Sequence, residues 1–374
     1  MQIAHTENSL GWGGQEIRIL AEIEGMASRG HQMHLLCPRE SHIFTEATRR
    51  GLPVTALPMA RKRPAGVRAL RAWLTANPVD IVNTHSSTDS WLTALACATL
   101  RRAPPLVRTR HISAPVPDNA ATRWLYTRAA CRIVTTGEAL KTQLVANNRY
   151  PPERIVSIPT GIDLALFQPP ATDADRRALR ASLGLPADAR IIGCVATLRS
   201  WKGHRFLIEA FAALAHADVH LLIVGDGPQR AALEALVAGL SLGARTTFAG
   251  NQEVVVPWLQ AMDLFALPSY ANEGVPQAIL QAFACALPVV TTAAGAIGEI
   301  ARDGDTALVV RMQDTQDLSR ALARLLDDVP LARALGERAL TLVREKHGIA
   351  TMLDRMEALF DSVLAEAGVG ARSA

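Results

Sequence analysis

The chain has 374 residues, 49% of them hydrophobic and 20% charged, which are globular values that exclude wholesale disorder and fit two α/β domains better than one. Its net charge of +4 is uneven: residues 1–169 carry 20 Lys and Arg against 12 Asp and Glu, and residues 170–374 carry 19 against 23. The basic clusters Arg61-Lys62-Arg63 and Arg101-Arg102 are not interleaved with aromatics, so nucleic acid is disfavoured; simple solvation, or contact with an anionic surface such as a membrane leaflet, remain.

Short apolar runs alternate with helical periodicity from the start. Strands are expected at 2–5, 32–37, 54–57, 80–84, 106–109, 132–136 and 154–158. Between them lie a glycine-bearing loop, Asn8 to Gly14, running into a helix that ends near Arg29-Gly30, and helices at 66–76, 90–100 and 138–147. PTGID at 159–163 breaks the rhythm, and Phe167-Gln168-Pro169-Pro170 with the polar ATDADRRA reads as a domain junction. Strands then follow at 191–197, 219–224, 246–248, 264–267 and 288–292, with one helix from Lys202-Gly203 through Leu214, a second after Pro228 ending near Gly239, a third at 254–261, and others opening near Pro276 and at the glycine-rich AAGAIGEI. Helices at 315–327, 332–347 and 349–367 close the chain, and the final GVGARSA is expected to fray. Strands separated by single helices predict parallel, doubly wound sheets, hence two Rossmann-like α/β domains with a cleft between them.

Five widely spaced cysteines without a CxxC suggest neither a zinc site nor a disulfide framework, and fit reduced thiols in a cytosolic protein. The opening residues lack the basic start and apolar run of a signal peptide, and no apolar stretch reaches the roughly 18 residues that span a bilayer.

Several polar groups fall at strand ends, where open α/β sheets bind ligands. GWGGQE, Gly11 to Glu16, is neither a GxGxxG fingerprint nor a Walker loop, but Gly13-Gly14 before a helix lets backbone approach a ligand. His85 and His111 each end a strand; a lone histidine is usually structural, whereas two at one sheet edge can orient a hydroxyl or take its proton. Lys202-Gly203 at a strand-to-helix junction is a phosphate clamp or an exposed lysine. Glu273-Gly274-Val275-Pro276 delivers an acid to a helix start, where unpaired N–H groups favour phosphate, or is an ordinary βαβ loop with a solvated Glu.

Taken together, the GG-x-E loop, both histidines, PTGID, KG, the GDGP turn at 225–228 and the Glu273 loop resemble, in order, the retaining glycosyltransferases of family 4, which have the GT-B fold. The resemblance implies a retaining transfer of a hexosyl or N-acetylhexosaminyl group from a nucleotide-diphosphate sugar to a hydroxyl, without a metal or other cofactor. It implies a cell-envelope acceptor, such as lipopolysaccharide core, O-antigen or a lipid-linked glycan, met in the cytoplasm or on the cytoplasmic face of the inner membrane. Domains are expected at 1–169 for the acceptor and 170–348 for the nucleotide sugar, with 349–374 crossing back to the first. Glu273 and His111 would be catalytic; Gly13, Gly14, Glu16, His85, Lys202, Gly274, Val275 and Pro276 would bind substrate. The family's second acid, eight positions after the first, is replaced by Gln281, whose amide can meet ribose hydroxyls without a charge-assisted bond. The usual arginine five positions before the lysine is Thr197, leaving Arg199 as the nearby guanidinium. These departures keep open an alternative: a silent sugar-nucleotide-binding or scaffold protein.

Overall fold

The structure, a computed structural model, describes residues 1–368, and the chain divides into two units, one of Met1–Gly161 with the segment from Ala350 onward and one of Ile162–Ile349. Of the expected frayed tail GVGARSA, residues 369–374 lie outside the described residues.

In the first unit the elements run β1 (Gln2–Thr6), α1 (Gly14–Ser28), β2 (Gln32–Cys37), α2 (His42–Arg49), β3 (Val54–Ala56), α3 (Pro64–Ala76), β4 (Ile81–Thr84), α4 (Ser87–Cys97), β5 (Leu106–Arg110), α5 (Ala120–Trp124), β6 (Ala130–Thr135), α6 (Glu138–Asn148) and β7 (Ile155–Ser157). All seven strands are parallel, in the order β3-β2-β1-β4-β5-β6-β7. The order reverses between β1 and β4, and that switch point is where such sheets open a ligand crevice.

The second unit runs α7 (Asp173–Ser182), β8 (Arg190–Val195), α8 (His204–Ala212), β9 (Val219–Val224), α9 (Arg230–Gly239), β10 (Thr246–Gly250), α10 (Val256–Gln260), β11 (Leu264–Leu267), α11 (Gln277–Ala284), β12 (Val289–Thr292), β13 (Leu308–Val310), α12 (Thr315–Asp327) and α13 (Val329–Lys346). Its six strands are also parallel, ordered β10-β9-β8-β11-β12-β13, with the switch between β8 and β11. Strands covered on both faces read as unbroken apolar runs. The LFAL of β11 is wholly buried, and each of Leu264, Phe265 and Leu267 contributes about 1.5–3 kcal/mol.

The two-unit, parallel α/β architecture agrees with the sequence reading; several details differ. Helix α2 has no counterpart among the expected elements, and α7 lies in charge-rich sequence expected as a domain junction. They exist because Ser41 and Thr172 cap them and because Arg180 of α7 is drawn inward by Asp263, at 2.6 Å. The helix expected at AAGAIGEI is only a 3-10 turn, Ile297–Glu299. The units divide before the Pro169-Pro170 junction, because Ile162 already donates to His347 O at 2.7 Å and accepts from Ile349 N at 2.9 Å.

The last helix, α14 (Ile349–Glu366), packs from Ala350 onward on the first unit. Arg29 reaches Asp354 and Glu357 at 2.6 and 2.7 Å, and His31 meets Glu357 at 2.7 Å. Gly25 of α1 leaves room for Leu353, whose Cδ1 would lie 2.4 Å from an added Cβ. Among the described residues, no helix is long and apolar enough to cross a membrane.

Candidate active site

In the second unit, the loops after β8 and β11 flank the switch point, and three contacts knit them together. Tyr270 N donates to Trp201 O at 2.9 Å. Gly203 sits at φ +77° so close under Pro268 that an added Cβ would lie 2.0 Å from its carbonyl oxygen. Lys202 Nζ donates to Glu273 Oε1 at 2.7 Å, with the lysine side chain 18% exposed and the glutamate 6%.

Glu273 is held from behind as well. Ala296 N donates to its carbonyl oxygen at 3.3 Å. Gly295, at φ +58°, brings its backbone where a Cβ would lie 2.1 Å from that oxygen. Gly274, Val275 and Pro276 follow in buried backbone, and Pro276 N-caps α11 without a side-chain cap. The first-turn N–H groups of α11 therefore have no side-chain acceptor at the cap, the condition that favours an anion. A cation, a carboxylate and a helix start thus converge on one loop system.

Gln281 is buried, at 6% exposure, rather than on the solvent face of α11. The Arg199 carbonyl oxygen accepts from Lys202 N at 3.1 Å, but among the described residues its guanidinium makes no ion pair with Glu273. Arg199 is exposed, its guanidinium lies 5.6 Å from the Trp201 ring centroid, and it lines a hollow of about 310 Å³ with Arg205 and Tyr270. The side chain follows its aromatic neighbour, a preference of guanidinium groups that spacing does not reveal.

In the first unit, His85 Nδ1 lies 3.0 Å from His111 Nε2, and His85 Nε2 lies 2.8 Å from the Nδ1 of a third ring, His5. Strand register creates this row. His5 pairs with Asn83, and Asn83 with Val107, so the three histidines climb two residues per strand across β1, β4 and β5. Even steps keep side chains on one face of a sheet. Burial is the main reason all three are held neutral: His5 falls to about 3, and His85 and His111 lie well below the ordinary histidine value. The nearby Arg18 and Arg108 guanidinium charges push the same way.

Gly13 N-caps α1 in extended backbone and Gly14 begins the helix, with no side-chain cap. Glu16, in that first turn, is buried, and burial with the charge of Glu7 raises it to about 7. Gly13, Gly14 and Glu16 thus stand at the helix start beyond β1, and the histidine row ends beyond β4 and β5.

A glycosyltransferase family 4 model matches residues 12–166, and a glycosyl transferases group 1 model matches residues 189–328. The chain is 32% identical over 324 residues to a D-inositol 3-phosphate glycosyltransferase of Nocardia farcinica, covering 78% of this chain and 69% of that one. The chain belongs to the group 1, family 4 glycosyltransferases. A D-inositol 3-phosphate glycosyltransferase of Mycolicibacterium vanbaalenii is 33% identical over 314 residues, which span 74% of this chain and 66% of that relative's length. Among solved structures, Anabaena Alr3699/HepE in complex with UDP-glucose superposes with a TM-score of 0.86 at 23% identity, covering 97% of this chain and all of that one; this likeness bears on the GT-B fold alone.

Within this family frame, sequence reasoning missed His5, Glu22 and Arg18, all completely buried. A signal for His5 existed: it stands near the end of β1, the third strand to deliver a histidine to the same edge. Glu22 and Arg18 carried none, because charged residues on an amphipathic helix read as its solvated side.

Proposed function

We propose that the protein is a retaining glycosyltransferase that moves a sugar from a nucleotide diphosphate to an acceptor hydroxyl. The observation that carries this reading is the Lys202–Glu273 pair beside the start of α11. As the bond to the diphosphate lengthens, negative charge grows on the leaving oxygens. Lys202 and the N–H groups around Gly274, Val275 and α11 stabilise it without reorganising. Glu273 accepts hydrogen bonds from donor-sugar hydroxyls, and Gln281 meets the ribose. Arg199 is left outside this clamp. The 3-10 turn after Gly295 makes α11, rather than a second helix, the main backbone donor.

The first unit supplies the acceptor side. Gly13, Gly14 and Glu16 contact the incoming substrate at the start of α1, His85 supports His111, and His111 orients a reacting hydroxyl as a neutral hydrogen-bonding ring. The acceptor follows the expected envelope glycan, lipopolysaccharide core, O-antigen or a lipid-linked sugar; the exposed Arg61, Lys62 and Arg63 favour an anionic inner-membrane surface beside it. A phosphorylated polyol is the second reading, favoured by the names of the relatives above. No cofactor is required by these residues. The assembled Lys202–Glu273 pair argues for an enzyme over a silent binding protein.

The test is a panel of nucleotide sugars incubated with purified protein and both acceptor classes, read by mass of the product and the anomeric configuration of the new bond. Transfer with retention, lost in Glu273→Ala at unchanged folding, supports the reading. Donor binding without transfer to any acceptor returns the silent alternative, and an inverted product removes the retaining mechanism.

A further inference from the structure

The start of α8 carries polar groups that the Lys202–Glu273 pair does not use. Helix α8 opens at His204, after Gly203, with no side-chain cap, and its first backbone bond runs from Leu207 N to Gly203 O at 3.1 Å. The N–H groups of His204, Arg205 and Phe206 therefore have no intrahelical partner, and such a helix start favours an anion. The hollow of about 310 Å³ opens beside these residues. Arg199, Ser200, His204, Arg205, Gln229 and Tyr270 contribute to its wall, whereas Lys202, Glu273, Gly274 and Gln281 do not.

That wall is rich in donors and holds no carboxylate. Arg205 Nε donates to Glu209 Oε1 at 2.7 Å, one turn along α8, and its two terminal amino groups make no hydrogen bond among the described residues. The Arg199 guanidinium lies over the Trp201 ring, which occupies its face and leaves its N–H edges free. The side chains of Ser200, Gln229 and Tyr270 likewise make no hydrogen bond among the described residues.

His204 adds an independent sign of a ligand. It is 1% exposed, and both ring nitrogens lack a hydrogen-bond partner. Burial, with the charge of Lys202, holds it down to about 3, so at neutral pH it is an uncharged imidazole with one N–H to donate. A buried donor left unpaired costs about 1–3 kcal/mol. An apolar ring would fill the same space without that cost, whereas an imidazole recovers it when an oxygen acceptor arrives.

We propose that the hollow at the start of α8 binds a phosphate group, carried by a small phosphorylated molecule or free. The terminal amino groups of Arg199 and Arg205 hold two phosphate oxygens, because guanidinium forks match phosphate geometry. First-turn N–H groups of α8 take a third oxygen, and His204 donates its N–H from the floor. The volume of about 310 Å³ reaches the range of small-molecule sites, roughly 300 Å³ and upward, which favours an esterified phosphate over the bare ion. Gln229 and the Tyr270 hydroxyl then bond the polar groups of the ester. This site stands whether or not the chain transfers sugar.

The experiment titrates the full chain with glucose 6-phosphate and, separately, with inorganic phosphate. Calorimetry gives the affinity, and nitrogen NMR of the His204 ring, assigned by its loss in His204→Phe, reports the place. Salt of about 0.15 M screens long-range attraction between exposed charges. Glucose 6-phosphate is expected to bind and to shift the His204 signal. Joint Arg199→Gln and Arg205→Gln substitution, at exposed positions and with a wild-type melting curve, should weaken binding by about tenfold or more. Lys202→Ala, which leaves the wall of the hollow intact, should weaken it far less. Tighter binding of the ester supports a phosphorylated metabolite as ligand, and binding of inorganic phosphate alone supports the free ion at the same contacts. A His204 signal unmoved by both probes overturns the site. So does an affinity that falls in Lys202→Ala but not in the arginine variant, since the donor loop then holds the phosphate. Either overturning result leaves the glycosyl-transfer reading standing, because the donor panel tests that reading separately.

Discussion

Replacing Lys202 with alanine is the most direct probe of the donor site. The substitution leaves Glu273 buried, at 6% side-chain exposure, without the ammonium now 2.7 Å from it. Breaking a fully buried pair costs about 3–5 kcal/mol, because the remaining charge is uncompensated. Lys202 is 18% exposed, so water can enter the vacated space, and about 2 kcal/mol is the expected loss. In a unit of about 190 residues this corresponds to a melting shift of roughly 4–8 °C. Glu273→Ala should cost less, about 1 kcal/mol, because the lysine head can turn to solvent. The double variant should recover most of the loss of Lys202→Ala, giving a coupling of about 1–2 kcal/mol. Scanning calorimetry without ligand measures this cycle. Titration with a nucleoside diphosphate supplies the functional half. Lys202→Ala should bind it more weakly, by about tenfold or more, whereas Glu273→Ala should bind it as well or better, since the lysine no longer has a competing carboxylate. Additive single losses, together with unchanged diphosphate affinity in Lys202→Ala, would refute both the coupling and the clamp.

Gly295→Ala should destabilise the second unit by about 2 kcal/mol or more, since it forces a side chain into left-handed backbone and 2.1 Å from Glu273 O; a wild-type melting curve would count against that contact. Gln281→Glu places a carboxylate in a 6% exposed site, so its melting temperature should fall more at pH 8 than at pH 5, with added nucleotide restoring more stability than in wild type; thermal shift decides. Glu22 adds a pH signature: raised from 4.5 to about 7, it favours the folded state fully below pH 4.5, and that contribution disappears as pH rises through 7. Glu22→Gln should therefore gain about 3 kcal/mol on wild type between pH 5 and pH 8 in urea denaturation of the first unit, and equal curves would contradict the burial. His5 works from the other side, its contribution being complete above pH 6.5 and lost as pH falls toward about 3, so His5→Phe should flatten the acid loss of stability.

The alternation of apolar runs and amphipathic helices determined, without any coordinates, that the chain builds two parallel α/β units. Such runs can be buried only between helices. Residues adjacent in sequence to strand ends were legible for the same reason: His85, His111, Lys202 and Glu273 stand where strands of this type deliver ligand-facing loops. Which of these side chains meet was decided only by tertiary structure. The row His5-His85-His111 depends on a two-residue stagger between β1, β4 and β5, and strand register is set by packing rather than by local spacing. Glu22 reads as a solvated helix residue until α1 turns it onto that sheet face, and Arg199 reads as a clamp until its side chain settles by Trp201. Local periodicity specifies elements, whereas the long-range fit between elements specifies which polar groups lose their water and must find each other.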